Sequence, residues 1–313
     1  MTDAPIEPAP PTPPPSDPAP QVTLRYTQTL AFGSRQLQQL SPTAIMGPGV
    51  ADARSAASFR TPAAILSGFP RSGRTWVRVM LAHAFEELFH ITTARPWDTD
   101  ALAKVEPRIP RVVVTPGIAD PRQRSPERLP RNLDWARGQR IVLLVRDPRD
   151  LAVSLYFERA HRAKHFPAEL RRYTGTLTEF LREDVGSLRT IIEYMNIWAA
   201  SRDMPATIRV VKYEHLLADT ALEFGRLLDF VGLDATPQFV ESLVRSASFD
   251  QMRRLEVSGR LGYKPSAELL QDDRGLVTRR GLAGGYRDHF TTPDHDYAAE
   301  VMAKLDGWYG YGA

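Results

Sequence analysis

From about residue 60 the chain alternates short apolar runs with longer stretches of helical period. Ala63-Ala64-Ile65-Leu66 has the length of a strand. A small, glycine-containing loop follows, Ser67 to Thr75, and then Val77, Leu81, Ala84 and Leu88 fall on one stripe of an amphipathic helix. Arg111 to Thr115 reads as the next strand. Asn132 to Gln139 is polar and leads into Ile141–Val145, a continuous apolar run of the kind buried on both faces of a parallel sheet. Asp147 is then placed as an N-cap, Pro148 suits the first helical position, and Asp150 comes three after the cap. Leu177–Arg182 is a short helical stretch. Val185–Arg202 carries Leu188, Ile191, Ile192, Met195 and Trp198 at helical spacing. Ile208–Val211 reads as a strand, and Ala221–Val231 as a helix with Leu222, Leu227, Leu228 and Val231 on its stripe. Strands alternating with helices predict right-handed βαβ units, and hence an α/β fold with a mostly parallel sheet. No internal repeat is visible, and residues 25–60 show no clean period.

The beginning of the chain is different. Nine of the first twenty residues are proline and most of the others are small or acidic. Such a segment buries too little to form a core, so residues 1–24 are expected to be a disordered tail and residues 25–313 a single domain. The tail lacks the basic and apolar regions of a secretory signal, which leads to an expectation of a cytoplasmic protein. No apolar run approaches the roughly 20 residues of a membrane span. Across 313 residues, 42% are hydrophobic, enough for a sizeable core. A net charge of only +3 suits a local basic cleft and does not call for nucleic acid. With no cysteine there is no disulfide and no thiolate metal site.

Three motifs carry candidate chemistry. The first is the loop Ser67–Thr75. Strand, small loop and helix N-terminus together present backbone N–H groups and a favourable dipole to phosphate. Arg71 and Arg74 add fixed positive charge there. Gly68-Phe69-Pro70-Arg71-Ser72-Gly73-Arg74-Thr75 also nearly matches a nucleotide-binding P-loop, with arginine in the place of the lysine, so a kinase using ATP is an alternative. The second motif puts Arg146 at the carboxyl end of the Ile141 strand and Ser154 eight residues later, about two turns into the next helix. Ligands of open α/β sheets bind at that edge. A kinase would use a carboxylate there to hold magnesium, whereas an arginine points to direct anion contact and no metal. The third motif is Arg279-Arg280-Gly281, followed by Gly284 and Gly285: two arginines before a flexible turn, which can clamp an anion.

Together the three resemble the PAPS-dependent sulfotransferase family over roughly residues 60–292. The first is similar to that family's 5′-phosphosulfate loop, Tyr-Pro-Lys-Ser-Gly-Thr-Thr-Trp. The Arg146–Ser154 spacing is similar to its 3′-phosphate motif. The third is similar to its C-terminal Arg-Lys-Gly…Phe-Thr loop, which closes over the cofactor. Two further matches fall in order: Arg209–Glu214, with Tyr213 in the place of a nucleotide-contacting tyrosine, and Ser248–Met252, with Phe249 in the place of a phenylalanine that packs on adenine. The resemblance implies a three-layer α/β sandwich of P-loop-like topology that moves a sulfuryl group from PAPS to a hydroxyl or amine, releasing PAP. It implies that Arg71, Ser72, Gly73, Arg74 and Thr75 hold the phosphosulfate. It further implies that Arg146, Ser154, Arg279, Arg280 and Gly281 serve the 3′-phosphate, and that Trp76 and Phe249 flank the adenine beside Tyr213. The expected acceptor is a small molecule, a lipid or a carbohydrate.

Several departures bear on catalysis. Arg71 replaces the family's catalytic lysine; a guanidinium still stabilises a leaving phosphate but does not readily donate a proton. Arg74 replaces a small threonine, placing a second cation beside the 5′-phosphate. Proline, as Pro116, occupies the place of the histidine base. Other branches use a carboxylate between the first helix and the strand ending at Thr115, which makes Asp98, with Asp100, the candidate base. His161 and His165 lie beyond the Ser154 helix, where an acceptor pocket opens. His83 and His90 read as ordinary helix histidines. The family's Lys-Thr-Val-Glu dimer pattern is not visible after Phe290. A protein that kept the fold but lost its base is the second alternative.

Overall fold

The computed structural model describes residues 23–24, 62–92, 98–118, 120–162 and 172–312. Apart from Thr23 and Leu24, the proline-rich tail lies outside these residues, and so does His165.

The chain runs through β1 (Thr23–Leu24), β2 (Ala64–Ser67), α1 (Arg74–Phe89), α2 (Thr99–Val105), β3 (Val112–Thr115), β4 (Arg140–Val145) and α3 (Pro148–His161). It continues through α4 (Leu177–Arg182), α5 (Leu188–Ala200), β5 (Thr207–Lys212), α6 (Tyr213–Ala218), α7 (Thr220–Phe230) and β6 (Leu233–Asp234). It ends with α8 (Pro237–Ser246), α9 (Phe249–Val257), α10 (Ala267–Gln271) and α11 (Thr292–Met302). Four strands form one parallel sheet in the order β3-β2-β4-β5; β1 and β6 pair antiparallel outside it. Ile65 stands opposite Val113 on one side and Ile141 on the other, and Leu143 opposite Val210.

The pleat sends successive residues of each strand to opposite faces. Ile65, Ile141, Leu143 and Val145 therefore pack with α3, α5 and α11, while Leu66, Val142 and Leu144 pack with α1, α7 and α8. That is the expected three-layer sandwich, and it explains why β4 is apolar from Ile141 to Val145: both of its faces are covered there.

Two elements differ from the sequence reading. The helix α1 is not simply amphipathic. Val79 and Ala82 are buried as fully as Val77, Leu81 and Ala84: Ala82 belongs to the same cluster as those three, and Val79 packs separately against Met252 and Leu261. The helix expected from Val185 begins at Leu188. Gly186, at φ 69°, turns the chain there and donates its N–H to the Arg124 carbonyl.

The helix after β4 starts where predicted. Asp147 caps it by accepting from Arg149 N at 2.9 Å, and Pro148 is its first residue. Asp150, however, does not turn back to the cap. Its carboxylate accepts from Gly284 N at 2.7 Å and Tyr286 N at 2.9 Å, tying the glycine-rich segment to α3.

Candidate active site

All three motifs meet at the carboxyl edge of β2 and β4, around a cavity of about 590 Å³. The loop after β2 is shaped by its backbone. Arg71 has φ 75°, a left-handed conformation that non-glycine residues rarely adopt, and Gly73 follows at φ 101°. A Cβ at Gly73 would come within 2.8 Å of the Tyr213 ring, so the loop needs glycine there both for conformation and for space. The turn directs Arg71 inward. Its Nε donates to Ser154 Oγ at 3.0 Å and its Nη2 to the Leu276 carbonyl at 3.0 Å, while Nη1 is buried without a partner. Burial lowers the Arg71 pKa, opposed by Glu158 and Glu256. Ser72 is fully buried beneath the loop, outside the cavity lining.

The second and third motifs form one wall. Arg146 lies over the Tyr213 ring, 4.4 Å from its centroid, and donates to the Leu282 carbonyl at 3.0 Å; its Nε is buried without a partner. Ser154 lies two turns along α3. Arg279 stacks on Phe157 at 4.4 Å, and its pKa is lowered to about 10 by burial and by Arg280, Arg71 and Arg146. Arg280 pairs with Asp288 at 2.7 Å. A Cβ on Gly281 (φ 62°) would lie 2.6 Å from the Phe249 ring, which closes this wall. Trp76 donates its indole N–H to the Ala247 carbonyl at 2.8 Å and meets Tyr213 edge-on. The segment that carries the two arginines is anchored by buried Glu256. This carboxylate accepts from Val277 N, Thr278 N and the Thr278 hydroxyl at 2.6–2.8 Å, and from the Tyr263 hydroxyl.

The opposite wall is built by the segment after β3 and by α1. Pro116 lines it, and the Pro116 carbonyl accepts from the Tyr194 hydroxyl at 2.7 Å. Asp120 and Arg122 pair at 2.7 Å, and Arg122 also reaches Glu158 at 3.3 Å. Asp98 does not line the cavity. It is the N-cap of α2, accepting from Ala101 N at 3.0 Å, and Asp100 is paired with Arg111 at 2.7 Å. His161 faces Asp272 at 3.1 Å and His83 faces Ser246, and neither lines the cavity.

The sulfotransferase domain family matches residues 61–307. The chain belongs to the PAPS-dependent sulfotransferase family. Among its relatives, sulfotransferase 2A2 of Mus musculus is 24% identical over 245 residues, covering 76% of this chain and 80% of the relative. The 3-beta-hydroxysteroid sulfotransferase of Cavia porcellus is 26% identical over 173 residues, covering 54% and 57%. The solved structure of retinol dehydratase with retinol and PAP superimposes with a TM-score of 0.51 at 20% identity, over 78% of this chain and 81% of that one, a likeness of fold.

As a sulfotransferase, the protein is an enzyme that moves a sulfuryl group with PAPS as co-substrate, which sets aside the kinase and the non-catalytic alternatives. The cavity suits such a ligand. Arg71 and Arg146 line it, and each has one buried guanidinium nitrogen without a hydrogen-bond partner. Among the described residues no helix is long and apolar enough to cross a membrane, and no cluster of potential metal ligands occurs.

Sequence reasoning missed three carboxylates of this sulfotransferase site: Asp150, Glu158 and Glu256. Asp150 was legible only as a helix-start acid. Glu158 had one available signal, its position one turn beyond Ser154 on the same helix face.

Proposed function

We propose that the enzyme transfers the sulfuryl group of PAPS to a hydroxyl or amine of a small molecule held against the Pro116–Arg122 wall, and that Glu158 takes the acceptor's proton. The observation that carries this reading is the position of Glu158. It is buried, it lines the cavity beside Arg71, and it feels the Arg71 charge more than any other. Burial pushes the Glu158 carboxyl up, but Arg71, Arg122 and Arg162 outweigh it and hold the group below the usual glutamate range. It is therefore an ionised acceptor of protons at neutral pH, in a site where Pro116 offers none.

PAPS, when bound, supplies the sulfuryl group and a phosphate leaving group. Arg146, Ser154, Arg279 and Arg280 would hold its 3′-phosphate, with Tyr213, Trp76 and Phe249 around the base. Gly73 and Thr75 at the start of α1 would meet the 5′-phosphate with backbone N–H groups and a hydroxyl. Arg71 would neutralise charge on the leaving oxygen, a contribution that grows in the transition state. Relatives named for hydroxysteroids and a neighbour bound to retinol support a small-molecule acceptor.

Glu158→Gln tests the base. It keeps the side chain's shape while removing the proton acceptor, so turnover falls about 10²–10⁴-fold with PAP affinity retained. In the wild type, kcat/KM for the acceptor stays flat from pH 8 to about pH 6, because a carboxylate held below its ordinary value remains ionised, whereas a histidine base would fail near 6.5. Wild-type turnover in Glu158→Gln would remove Glu158 from the chemistry.

A further inference from the structure

Glu158 is a buried carboxylate on α3. A buried carboxylate keeps its charge only where cations and hydrogen bonds meet it; otherwise it takes up a proton. The two oxygens of Glu158 are met by different elements. Oε2 accepts from Arg122 Nη1 at 3.3 Å, and Oε1 stands 3.9 Å from Nη1 of Arg162, the residue that ends α3. Arg162 in turn lies on the Tyr263 ring, 3.9 Å from its centroid. Arg71 adds charge nearby, but its Nε and Nη2 go to Ser154 Oγ and the Leu276 carbonyl.

Arg122 comes to this contact from the opposite wall. It sits in the short turn Pro121–Gln123, which Asp120 caps by accepting from Arg122 N at 3.1 Å. The same carboxylate takes Arg122 Nε at 2.9 Å and Nη2 at 2.7 Å. This fork-to-fork pairing fixes the plane of the guanidinium and leaves Nη1 for α3. The backbone is held from behind. Gly186 N and Thr190 Oγ1 both donate to the Arg124 carbonyl at 3.1 Å, and a Cβ on Gly186 would strike the Arg122 carbonyl. Burial pushes the Arg122 pKa down, but Asp120 and Glu158 outweigh it and raise it above the ordinary arginine value. A cation matched by carboxylates on two sides differs from Arg71 and Arg146, which each keep a buried nitrogen without a partner.

We propose that Arg122 is a positioning residue for the sulfuryl transfer: forked on Asp120, it reaches from the Pro116–Arg122 wall to α3 and holds the Glu158 carboxylate in place as a charged proton acceptor. This rests on the reading of Glu158 as the base and adds the group that keeps it competent. Pinning Oε2 fixes the orientation of the carboxylate. Oε1, with Arg162 at the longer distance, keeps lone pairs for an acceptor's proton. Arg122 itself touches neither the sulfuryl group nor the nucleotide in this account.

The test needs no acceptor. Enzyme labelled with carbon-13 at its glutamate carboxyls is titrated by NMR, and the signal missing from Glu158→Gln is that of Glu158. In the wild type this signal stays near its ionised position down to about pH 5, because the group is held below the usual glutamate range. In Arg122→Gln its midpoint rises by about one unit or more, the usual effect of removing an adjacent opposite charge from a buried carboxylate. Arg122→Lys keeps a charge but cannot span both carboxylates, so its midpoint falls between those two. PAP affinity stays within about twofold in both variants, which also reports that they are folded. If Arg122→Gln does not fold, Arg122→Lys decides alone, and a midpoint no higher than the wild type's overturns the proposal. An unmoved midpoint in a folded Arg122→Gln overturns it too, and one accompanied by weakened PAP binding would assign Arg122 to the cofactor. These results are separate from the test of the base. If the midpoint moves as expected but Glu158→Gln keeps wild-type turnover, it is the reading of Glu158 as base that falls, and with it Arg122's part in the reaction.

Discussion

Arg71 occupies a left-handed position at the turn of the phosphate loop and reaches Ser154 on one side and the Glu158 field on the other. Several other cations and N–H groups remain to hold the nucleotide if Arg71 is lost, but none shares its position between the two walls. Arg71→Ala therefore costs turnover about 10²–10³-fold, the usual loss for one preorganised donor aimed at developing charge, and weakens PAP binding only modestly. Arg71→Lys retains measurable activity, since it keeps the charge and loses only the planar fork. Single-turnover kinetics on PAPS-saturated enzyme separate these; wild-type rates in Arg71→Ala would shift the catalytic role to Arg74. At this scale the sequence made the anion-binding candidates legible, because Arg71, Arg146, Ser154, Arg279 and Arg280 sit in motifs of fixed spacing. Carboxylates were not legible in the same way. Asp98, between the first helix and its following strand, read as a base and is a helix cap, while Glu158, which no motif singled out, is buried among arginines. Which face of a helix meets a cavity depends on the packing of α3 against its neighbours, and local spacing does not encode that.

The strands were the most legible elements, since four-to-six-residue apolar runs such as Ile141–Val145 are what a doubly covered parallel sheet requires. The glycine-rich segment was legible as an anion clamp, but not as something held in place. Its anchor is α3: Asp150, only 2% exposed, takes two backbone N–H groups of the segment across 134 and 136 residues of sequence. Asp150→Asn leaves one carbonyl oxygen for two donors and turns an amide toward an N–H. It should lower stability by about 1–3 kcal/mol, the cost of a buried unsatisfied group. Because the segment positions Arg279 and Arg280, PAP affinity should fall as well. Denaturant melts and PAP titration of the variant measure both; a variant with unchanged PAP affinity would show that the clamp holds its place without Asp150.

At the scale of the molecule, motifs separated by up to about two hundred residues converge because parallel βαβ units bring every strand's carboxyl end to one edge. Order and spacing along the chain were enough to anticipate that convergence. Which side chains of α1 line the cavity was not legible in them, because it depends on how that helix is turned against the sheet. What sets this cavity apart from an ordinary nucleotide site is the 3′-phosphate reading proposed for the Arg146–Ser154 and Arg279–Arg280 groups. Thermal stabilisation by PAP and by adenosine 5′-phosphate, which differ only in that group, tests it most directly. At a hundred times its dissociation constant PAP adds about 2.7 kcal/mol of stability, and at the same concentration adenosine 5′-phosphate produces a much smaller rise in Tm. Equal rises for the two nucleotides would contradict the claim.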